Sequence, residues 1–221
     1  MKSERFNCAD PEQLLEGMRK ARMAIGRGKL VVVPTDTGYA VVADAFRAQA
    51  LEALRDARGM PEQAPLGVFV PGIPTLRALS EEEHPELENL VKEFWPGGLS
   101  IIVAARESLA WDLGLTKGTV ALRMPSNRFT LELLSETGPL ASSQASAVGQ
   151  PPVGTVQEAK DQLGDSVAVY LADDASVSVE EPSTILDSTG LDRPQGRLRL
   201  LRVGAIPALE IHEIVSVERF A

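Results

Sequence analysis

The sequence predicts an α/β (α+β) fold, a single domain over residues 1–221 in which helices flank a twisted mixed β-sheet with a concave ligand cleft. Three observations predict it. The chain has 221 residues, which is nearer to one large domain than to two. Hydrophobic residues make up 44% of it and charged residues 24%, a balance that supports a hydrophobic core. Segments typical of strands and of helices follow one another irregularly, so a mixed sheet is favoured over a strict βαβ repeat.

The first half of the chain begins with a helix that Asp10 can cap, with Pro11 in its first turn. The apolar run at residues 30–33 (LVVV) is typical of a buried strand. Pro85 suits the first position of a later helix, which stops at Pro96 and the two glycines after it. These signals predict helices at residues 11–25, 49–57 and 85–94 and strands at 30–34, 39–43 and 67–70.

The second half is richer in strands. The same patterns predict strands at residues 99–104, 119–124, 140–143, 167–171, 183–187 and 198–203. They predict helices at residues 129–136 and 156–163, and a final helix that begins near Pro207.

Composition limits the classes of function. The formal net charge of −9 opposes indiscriminate binding to nucleic acid. Cys8 is the one cysteine, which excludes an internal disulfide and a site with several cysteine ligands. The two histidines have no second ligand at a useful spacing, so no metal site is predicted. With no signal peptide and no apolar run long enough for a bilayer, the expectation is a cytoplasmic protein without a membrane span.

Polar residues follow several of the predicted strands at the point where each strand ends. The segments are residues 34–39 (PTDTGY), 121–125 (ALRMP), 182–187 (PSTILD) and 201–206 (LRVGAI). Each places a hydroxyl or a guanidinium at a strand edge, and open α/β sheets commonly bind ligands where such edges meet. The sequence therefore predicts that these side chains converge on one cleft.

The tripeptide Asp36-Thr37-Gly38 has two interpretations. Aspartic proteases carry Asp-Thr-Gly, but their site needs two carboxylates that share a proton. A second copy is absent, because the segment at residues 187–190 (DSTG) has one residue too many. On the residues alone, a hairpin turn between two strands is favoured over a ligand site, since Asp, Thr and Gly suit turns.

Two arginines and one loop also leave alternatives open. Arg123 ends an apolar strand, where it either forms an internal salt bridge or binds a carboxylate or phosphate. Arg202 has the same two interpretations, although Arg197 and Arg199 beside it favour a solvated basic strand. The small residues at 142–149 (SSQASAVG) suit either a tight connection or an anion that approaches backbone amides.

In their order and spacing, these segments resemble the YrdC-like family of threonylcarbamoyl-AMP synthases in its single-domain form. The resemblance extends from about Asn7 to the last helix, and the ordered set of motifs carries it rather than any single one. The matching segments are residues 30–37 (LVVVPTDT), 94–99 (FWPGGL), 119–125 (TVALRMP), 149–152 (GQPP), 182–187 (PSTILD) and 202–206 (RVGAI).

The resemblance implies a nucleotidyltransferase that condenses L-threonine, bicarbonate and ATP, releases pyrophosphate and forms threonylcarbamoyl-adenylate. Mg²⁺ would accompany ATP, bound mainly through phosphate oxygens and water. A threonylcarbamoyl-transferase complex would then modify tRNA at the adenosine beside the anticodon. The family's association with tRNA or double-stranded RNA implies at most weak RNA binding in so acidic a chain.

The resemblance also implies roles for individual residues. Thr35 and Thr37 would line the threonine end of the site, Arg123 would hold the threonine carboxylate, and Ser142 and Ser183 would add hydroxyls. On the nucleotide side it implies Arg58, Thr119, Gln144, Ser146 and Arg202, with Arg58 and Arg123 as the catalytic residues.

The chain departs from the family's motifs where chemistry is concentrated. The family's Lys-x-Arg reads Arg58-Gly59-Met60, its Lys-Pro-Leu reads APL at residues 64–66, and its Ser-x-Asn reads Gln144-Ala145-Ser146. The following Ser-Gly reads Val148-Gly149, and the strand-end motif reads PTDTGYA at residues 34–40. We therefore expect slower turnover than in a relative with the full motifs. A second hypothesis is a protein on the same scaffold that binds nucleotide, amino acid or RNA with weakened or no catalysis.

Overall fold

One mixed β-sheet organises the part of the chain that the computed structural model describes, namely residues 2–81, 84–175, 177–178, 181–191 and 196–220. Ten strands of these residues join it, in the order β1-β8-β2-β3-β7-β4-β6-β5-β9-β10. They are β1 (Glu4–Asn7), β2 (Leu30–Thr35), β3 (Gly38–Asp44), β4 (Gly67–Phe69), β5 (Leu99–Ala104), β6 (Thr119–Arg123), β7 (Leu140–Gln144), β8 (Val167–Ala172), β9 (Thr184–Asp187) and β10 (Arg199–Arg202).

The sheet contains both parallel and antiparallel strand pairs, which confirms the predicted mixed α/β class. β2 and β3 form an antiparallel hairpin in which Thr35 pairs with Gly38, so residues 36 and 37 make the turn that the sequence favours. β2 pairs in parallel with β8, and β5 pairs in parallel with β9. Every residue of β2 is buried, as expected for an inner strand covered on both faces.

Seven α-helices pack on the two faces of the sheet in the described ranges. They are α1 (Pro11–Gly26), α2 (Ala48–Arg58), α3 (Ile73–Leu79), α4 (Pro85–Phe94), α5 (Arg128–Thr137), α6 (Val156–Leu163) and α7 (Ala208–Ile214). The Asp10 carboxylate accepts bonds from the amides of Glu12 and Gln13, which confirms the predicted cap of α1. None of the described helices is both long and apolar enough to cross a bilayer.

The two faces differ in how completely they are covered. The larger core lies on one face, where Leu51, Leu90 and Val156 of three helices pack against strand residues such as Leu122. On the other face, α1 and α5 pack on residues that include Val31 and Val33 of β2, Val42 of β3 and Leu140 of β7. This second core ends at Phe69 of β4, so the strands beyond it are open on that face.

Two elements escaped prediction. β1 (ERFN) is a mostly exposed edge strand that pairs in parallel with β8, and its sequence carries no apolar pattern. α3 has seven residues and follows Pro71-Gly72, which is typical of a loop. Both depend on contacts with distant parts of the chain rather than on local sequence. All the helices and strands that the sequence predicted are present, with ends that shift by one or two residues.

We expect Leu122→Ala to lower the free energy of unfolding by about 2–5 kcal/mol, because it leaves a cavity in the larger core. Leu122 is 0% exposed there. Denaturant titration measures the change. The matched control is Leu15→Ala, at a side chain that is 74% exposed and should lose little stability. Equal losses from the two changes would contradict the placement of Leu122 in the core.

Candidate active site

A cavity of about 350 Å³ opens on the uncovered part of the sheet. Its floor is made by small residues, Gly67 of β4 and Ala121 of β6, which leave a hollow between larger neighbours. Gly67 stands opposite Ser142 of β7. Because side chains alternate along a strand, the face that carries Gly67 also carries Phe69, and the face that carries Ala121 also carries Arg123.

Eight of the ten residues that the sequence assigned to the site line this one cavity. They are Thr35, Thr37, Arg58, Arg123, Ser142, Gln144, Ser183 and Arg202. The two that do not are Thr119 and Ser146. The strand-end segments therefore converge as the sequence predicted, and their convergence follows from the sheet order, in which β3, β7, β4, β6, β5, β9 and β10 are consecutive.

Arg123 is held by three groups at one end of the cavity. Its Nη2 donates to Asp36 Oδ2 at 2.7 Å, its Nη1 to Thr37 Oγ1 at 2.7 Å, and its Nε to the Gly97 carbonyl at 3.0 Å. Burial lowers the pKa of the guanidinium, while the charge of Asp36 raises it and the charge of Arg202 lowers it further. The internal salt bridge is thus present, and the described contacts still leave one N–H on each terminal nitrogen unused.

The hairpin turn supplies the hydroxyls next to Arg123. Thr35 Oγ1 donates to the Gly38 carbonyl at 2.6 Å and accepts from the Thr37 amide at 3.1 Å, so it closes the turn. Thr37 Oγ1 accepts from Arg123, and its own hydroxyl hydrogen is available to a ligand. Turn and ligand site, which were alternatives for this tripeptide, are therefore compatible. An aspartic protease would require a second aspartate opposite Asp36. Here Asp36 faces the guanidinium of Arg123 instead.

Arg58, the last residue of α2, is 9% exposed and reaches the opposite side of the cavity. Its Nε donates to the Ser146 carbonyl at 2.7 Å, and its Nη1 contacts Ser143 Oγ and, at 3.4 Å, the sulfur of Met60. No carboxylate among the described residues pairs with it. Burial lowers the pKa of this guanidinium, and a buried cation without a counter-ion favours the binding of an anion.

Arg202 reaches the cavity from the edge strand β10. Its Nε donates to the Ser183 carbonyl at 2.9 Å, and its Nη2 to Ser183 Oγ at 3.0 Å. Ser183 Oγ also lies 3.0 Å from Ser100 Oγ. Arg199 on the same strand pairs instead with Asp187. The expectation of a solvated basic strand therefore describes only part of β10, because Arg202 is exposed yet turned to the cavity.

The cavity concentrates positive charge in an acidic chain. Three guanidinium groups line it, none of the described residues that line it is Asp or Glu, and Asp36 compensates only Arg123. Guanidinium groups bind carboxylates and phosphates through paired donors, and like charges in a shared hollow raise its affinity for anions. The arrangement suits a ligand with several negative groups. Among the described residues, no cluster of His, Cys, Asp and Glu is arranged to hold a metal ion.

Thr119 lies outside this cavity, on the wall of a neighbouring one of about 290 Å³. The two cavities share Pro65, Gly67 and Ala121, so they adjoin along β4 and β6. The neighbour is mainly apolar, with Ile102 among its walls. Thr119 Oγ1 donates to the Thr116 carbonyl at 2.7 Å, which fixes the start of β6.

Ser146 does not line the cavity, which corrects its place in the set that sequence reasoning assembled. β7 ends at Gln144, and the Ala145 amide, which donates to the Tyr39 carbonyl at 2.9 Å, extends its pairing with β3 by one residue. The Ser146 side chain that follows is buried, and its hydroxyl has no hydrogen-bond partner among the described residues. Its backbone carbonyl, which accepts from Arg58, is the part of Ser146 that supports the site.

Three polar residues of the cavity were missed. Tyr39 is among the lining residues, although its hydroxyl lies with residues outside the lining, donating to Asp174 Oδ1 at 2.6 Å and accepting from the Asp173 amide at 2.9 Å. Ser100 faces Ile185 across β5 and β9. Ser143 holds Arg58. Ser100 could have been predicted, because it is the one polar residue in the apolar strand β5. Tyr39 has no such signal, since tyrosine is common in strands.

Comparison with known proteins identifies close relatives. A family model for Sua5, YciO and YrdC proteins, described as telomere recombination, matches residues 23–204. A putative threonylcarbamoyl-AMP synthase of Mycobacterium tuberculosis is 44% identical over 217 residues, which cover 98% of this chain and 97% of that protein. A threonylcarbamoyl-AMP synthase of Pyrococcus abyssi is 33% identical over 203 residues, which cover 89% of this chain and 57% of that protein.

Solved structures agree with these matches. The crystal structure of P. abyssi Sua5 complexed with L-threonine aligns with a TM-score of 0.85 and 27% identity, over 99% of this chain and 63% of that one. This chain thus spans about three-fifths of the P. abyssi protein. Escherichia coli YciO aligns with a TM-score of 0.76 and 22% identity over 92% of this chain and 96% of that one, a likeness of fold alone.

We expect the cavity to bind tripolyphosphate, and Arg58→Met to weaken that binding by about 1.5–3 kcal/mol, the range for a hydrogen bond to a charged group. Calorimetry measures the affinity, which should fall as salt is raised. Arg27→Met is the matched control: it removes the same charge just before β2, whose other end borders the cavity. If both changes weaken binding equally, the affinity reflects net charge and not this cavity.

Proposed function

Because this chain belongs to the Sua5/YciO/YrdC family, we propose that it is a threonylcarbamoyl-AMP synthase. It condenses L-threonine, bicarbonate and ATP into threonylcarbamoyl-adenylate and releases pyrophosphate. The observation that carries the proposal is the cavity with three guanidinium groups and no acidic side chain among the described residues that line it. The reaction brings a carboxylate, a triphosphate and bicarbonate together, and such a cavity accommodates their combined charge.

Arg123 and the hairpin turn form the threonine end of the site in this proposal. The two unused N–H groups of Arg123 match the two oxygens of a carboxylate, which is the pairing that guanidinium favours. Thr37 and Ser142 offer hydroxyls to the rest of the amino acid. Because Asp36 and Gly97 fix the guanidinium before any ligand arrives, little further ordering is needed when threonine binds.

Arg58 and Arg202 form the nucleotide end. Neither has a carboxylate partner among the described residues, so both are free to pair with phosphate oxygens. The adjoining apolar cavity beside Thr119 suits a planar base. Adenylate formation displaces pyrophosphate from the α-phosphate, and negative charge grows on both groups as it does so. Guanidinium groups held in place stabilise such developing charge at no cost of reorganisation.

MgATP is the substrate form in this proposal. Since none of the described residues that line the cavity is a carboxylate, Mg²⁺ has phosphate oxygens and water as its main ligands there. The product carries an activated threonylcarbamoyl group, which a separate transferase complex would pass to tRNA. The net charge of −9 opposes tight binding of tRNA or double-stranded RNA by this chain alone. We propose a cytoplasmic location, in keeping with these substrates.

The departures from the family's motifs bear on rate more than on the kind of function. Gln144 lines the cavity, whereas Met60 packs against the larger core and Ser146 is turned inward. The lost cation at position 60 and the lost amide at position 146 leave Arg58 as the cation on that side. Identity of 44% to a putative synthase over nearly the whole chain favours an enzyme over a protein that binds without turnover.

We expect pyrophosphate release from ATP that requires both L-threonine and bicarbonate. If two of the departures each remove about 1.5–3 kcal/mol of transition-state stabilisation, turnover is roughly two to four powers of ten below that of a full-motif relative. The triple change Met60→Arg, Gln144→Ser, Ser146→Asn should then raise it. Pyrophosphate release that does not depend on L-threonine would contradict the proposed synthase activity. Turnover equal to that of the relative would contradict only the expectation of a slower enzyme.

We expect Arg123→Ala to weaken L-threonine binding by about 1.5–3 kcal/mol, because it removes a charged partner of the carboxylate. Calorimetry with L-threonine measures the affinity, and thermal unfolding checks that the fold is intact. Arg77→Ala is the control, since Arg77 also forms a salt bridge, to Glu88 at 2.7 Å, but does not line the cavity. An intact variant that binds threonine as well as the unaltered protein would rule out the carboxylate role.

A further inference from the structure

The register of β10 determines whether Arg202 can reach the cavity. Arg199 pairs with Asp187 and Leu200 pairs with Leu186, after which the register shifts and Arg202 pairs with Ile185. Regular pairing would instead place Leu201 opposite Ile185. Because a shift of one residue exchanges the two faces of a strand, Arg202 would then point to the face of Leu186 and the core. The bulge at Leu201 therefore delivers the guanidinium to the cavity.

The bulge results from anchors on both sides of it. Before it, the pairing of Arg199 with Asp187 fixes the register. After it, the chain is tied to Thr184 of β9, whose Oγ1 accepts from the Gly204 amide at 2.9 Å and the Ile206 amide at 3.1 Å. The same hydroxyl donates to the Ile206 carbonyl at 2.6 Å. One residue more than regular pairing needs lies between the anchors, and Leu201 is extruded, 51% exposed.

The Thr184 hydroxyl is saturated by these contacts. A hydroxyl has one hydrogen to donate and two lone pairs, and all three are used by the backbone of residues 204–206. Thr184 is 0% exposed and does not line the cavity, although Ser183 and Ile185 on either side of it do. Gly204 allows the close approach, since a Cβ there would collide with the Pro182 carbonyl.

We propose that Thr184 is a positioning residue, whose hydroxyl fixes the segment after β10 and so holds Arg202 in the cavity for the phosphates of ATP. The identity of the ligand rests on the proposed function, whereas the positioning itself rests on the register of β10. Loss of the hydroxyl leaves three backbone groups without this partner, one of them buried and two partly buried, which favours release of the segment. Arg202 would then lose the backbone placement from which it bonds Ser183.

The test is a double-mutant cycle on ATP affinity, measured by calorimetry without threonine. Arg202→Ala should weaken ATP binding by about tenfold to a hundredfold, the range for a hydrogen bond to a charged group. Thr184→Val, which keeps the shape and removes the hydroxyl, should cause most of the same loss. The double variant should lie within about twofold of Arg202→Ala alone, because Thr184 acts through that arginine. Thr184→Ser, which keeps the hydroxyl, should bind within about twofold of the unaltered protein.

Other outcomes overturn the proposal. ATP affinity unchanged in Thr184→Val would remove the positioning role. Additive losses in the double variant would mean that Thr184 acts without Arg202, and a Thr184→Ser variant as weak as Thr184→Val would exclude the hydroxyl. Thr137→Val is the control, since its hydroxyl bonds the Leu133 carbonyl at 2.9 Å on α5, away from the cavity. If Thr184→Val does not fold, Thr184→Cys replaces it in the cycle, because it exchanges the hydroxyl for a thiol of similar size that is a weak hydrogen-bond donor.

The binding cycle also separates the two proposals. ATP binding without turnover on threonine and bicarbonate would contradict the proposed synthase and leave the Thr184 result interpretable. Turnover with a Thr184→Val variant that binds ATP normally would contradict the positioning role and leave the synthase intact. In the supported case, the KM for ATP rises in Thr184→Val while the KM for L-threonine, set at Arg123, stays close to that of the unaltered protein.

Discussion

The need to satisfy the donors of three guanidinium groups around one hollow, two of them buried, is the constraint on which the arrangement of this protein depends. A buried cation is costly unless hydrogen bonds or a counter-ion compensate it. Arg123 has both, through Asp36, Thr37 and the Gly97 carbonyl, and keeps one N–H of each terminal nitrogen for a ligand. Among the described residues, Arg58 and Arg202 have hydroxyl and carbonyl acceptors, and Arg58 also contacts the sulfur of Met60, but neither has a counter-ion. The hairpin turn, the segment before β5, the end of β7 and the segment before β9 are thus all placed to satisfy arginine donors.

The sheet provides the hollow because its two faces are covered unequally. Helices α1 and α5 cover one face only as far as Phe69, and beyond it the strands carry glycine, alanine and serine on that side. The opposite face carries the larger core along the same strands, for example at Leu122 and Ile101. Small side chains on one face therefore do not weaken the sheet, since the other face supplies the apolar burial that holds these strands in place.

Sequence reasoning succeeded where the signal was local. The β2–β3 hairpin, the Asp10 cap of α1, the start of α4 at Pro85 and the strand that ends at Arg123 are each specified by a few neighbouring residues. It failed where distant residues decide the outcome. β1 depends on β8, the segment at Ser146 is held by Arg58 of α2, and the face on which Arg202 lies depends on a bulge that alternation cannot reveal. The residue type suggested Arg202 as an anion-binding residue, but only the register of β10 explains why its side chain reaches the cavity.

Charge repulsion inside the cavity links the stability of this protein to the anions around it. The charge of Arg202 lowers the pKa of Arg123, so the two guanidinium groups disfavour one another in the free protein. An anion that binds only the folded chain relieves this repulsion as part of its binding free energy, and it stabilises the fold by about 2.7 kcal/mol when its concentration is a hundred times its Kd. We therefore expect the melting temperature to depend on the anions of the medium, so that a phosphate buffer acts on this protein as a ligand does.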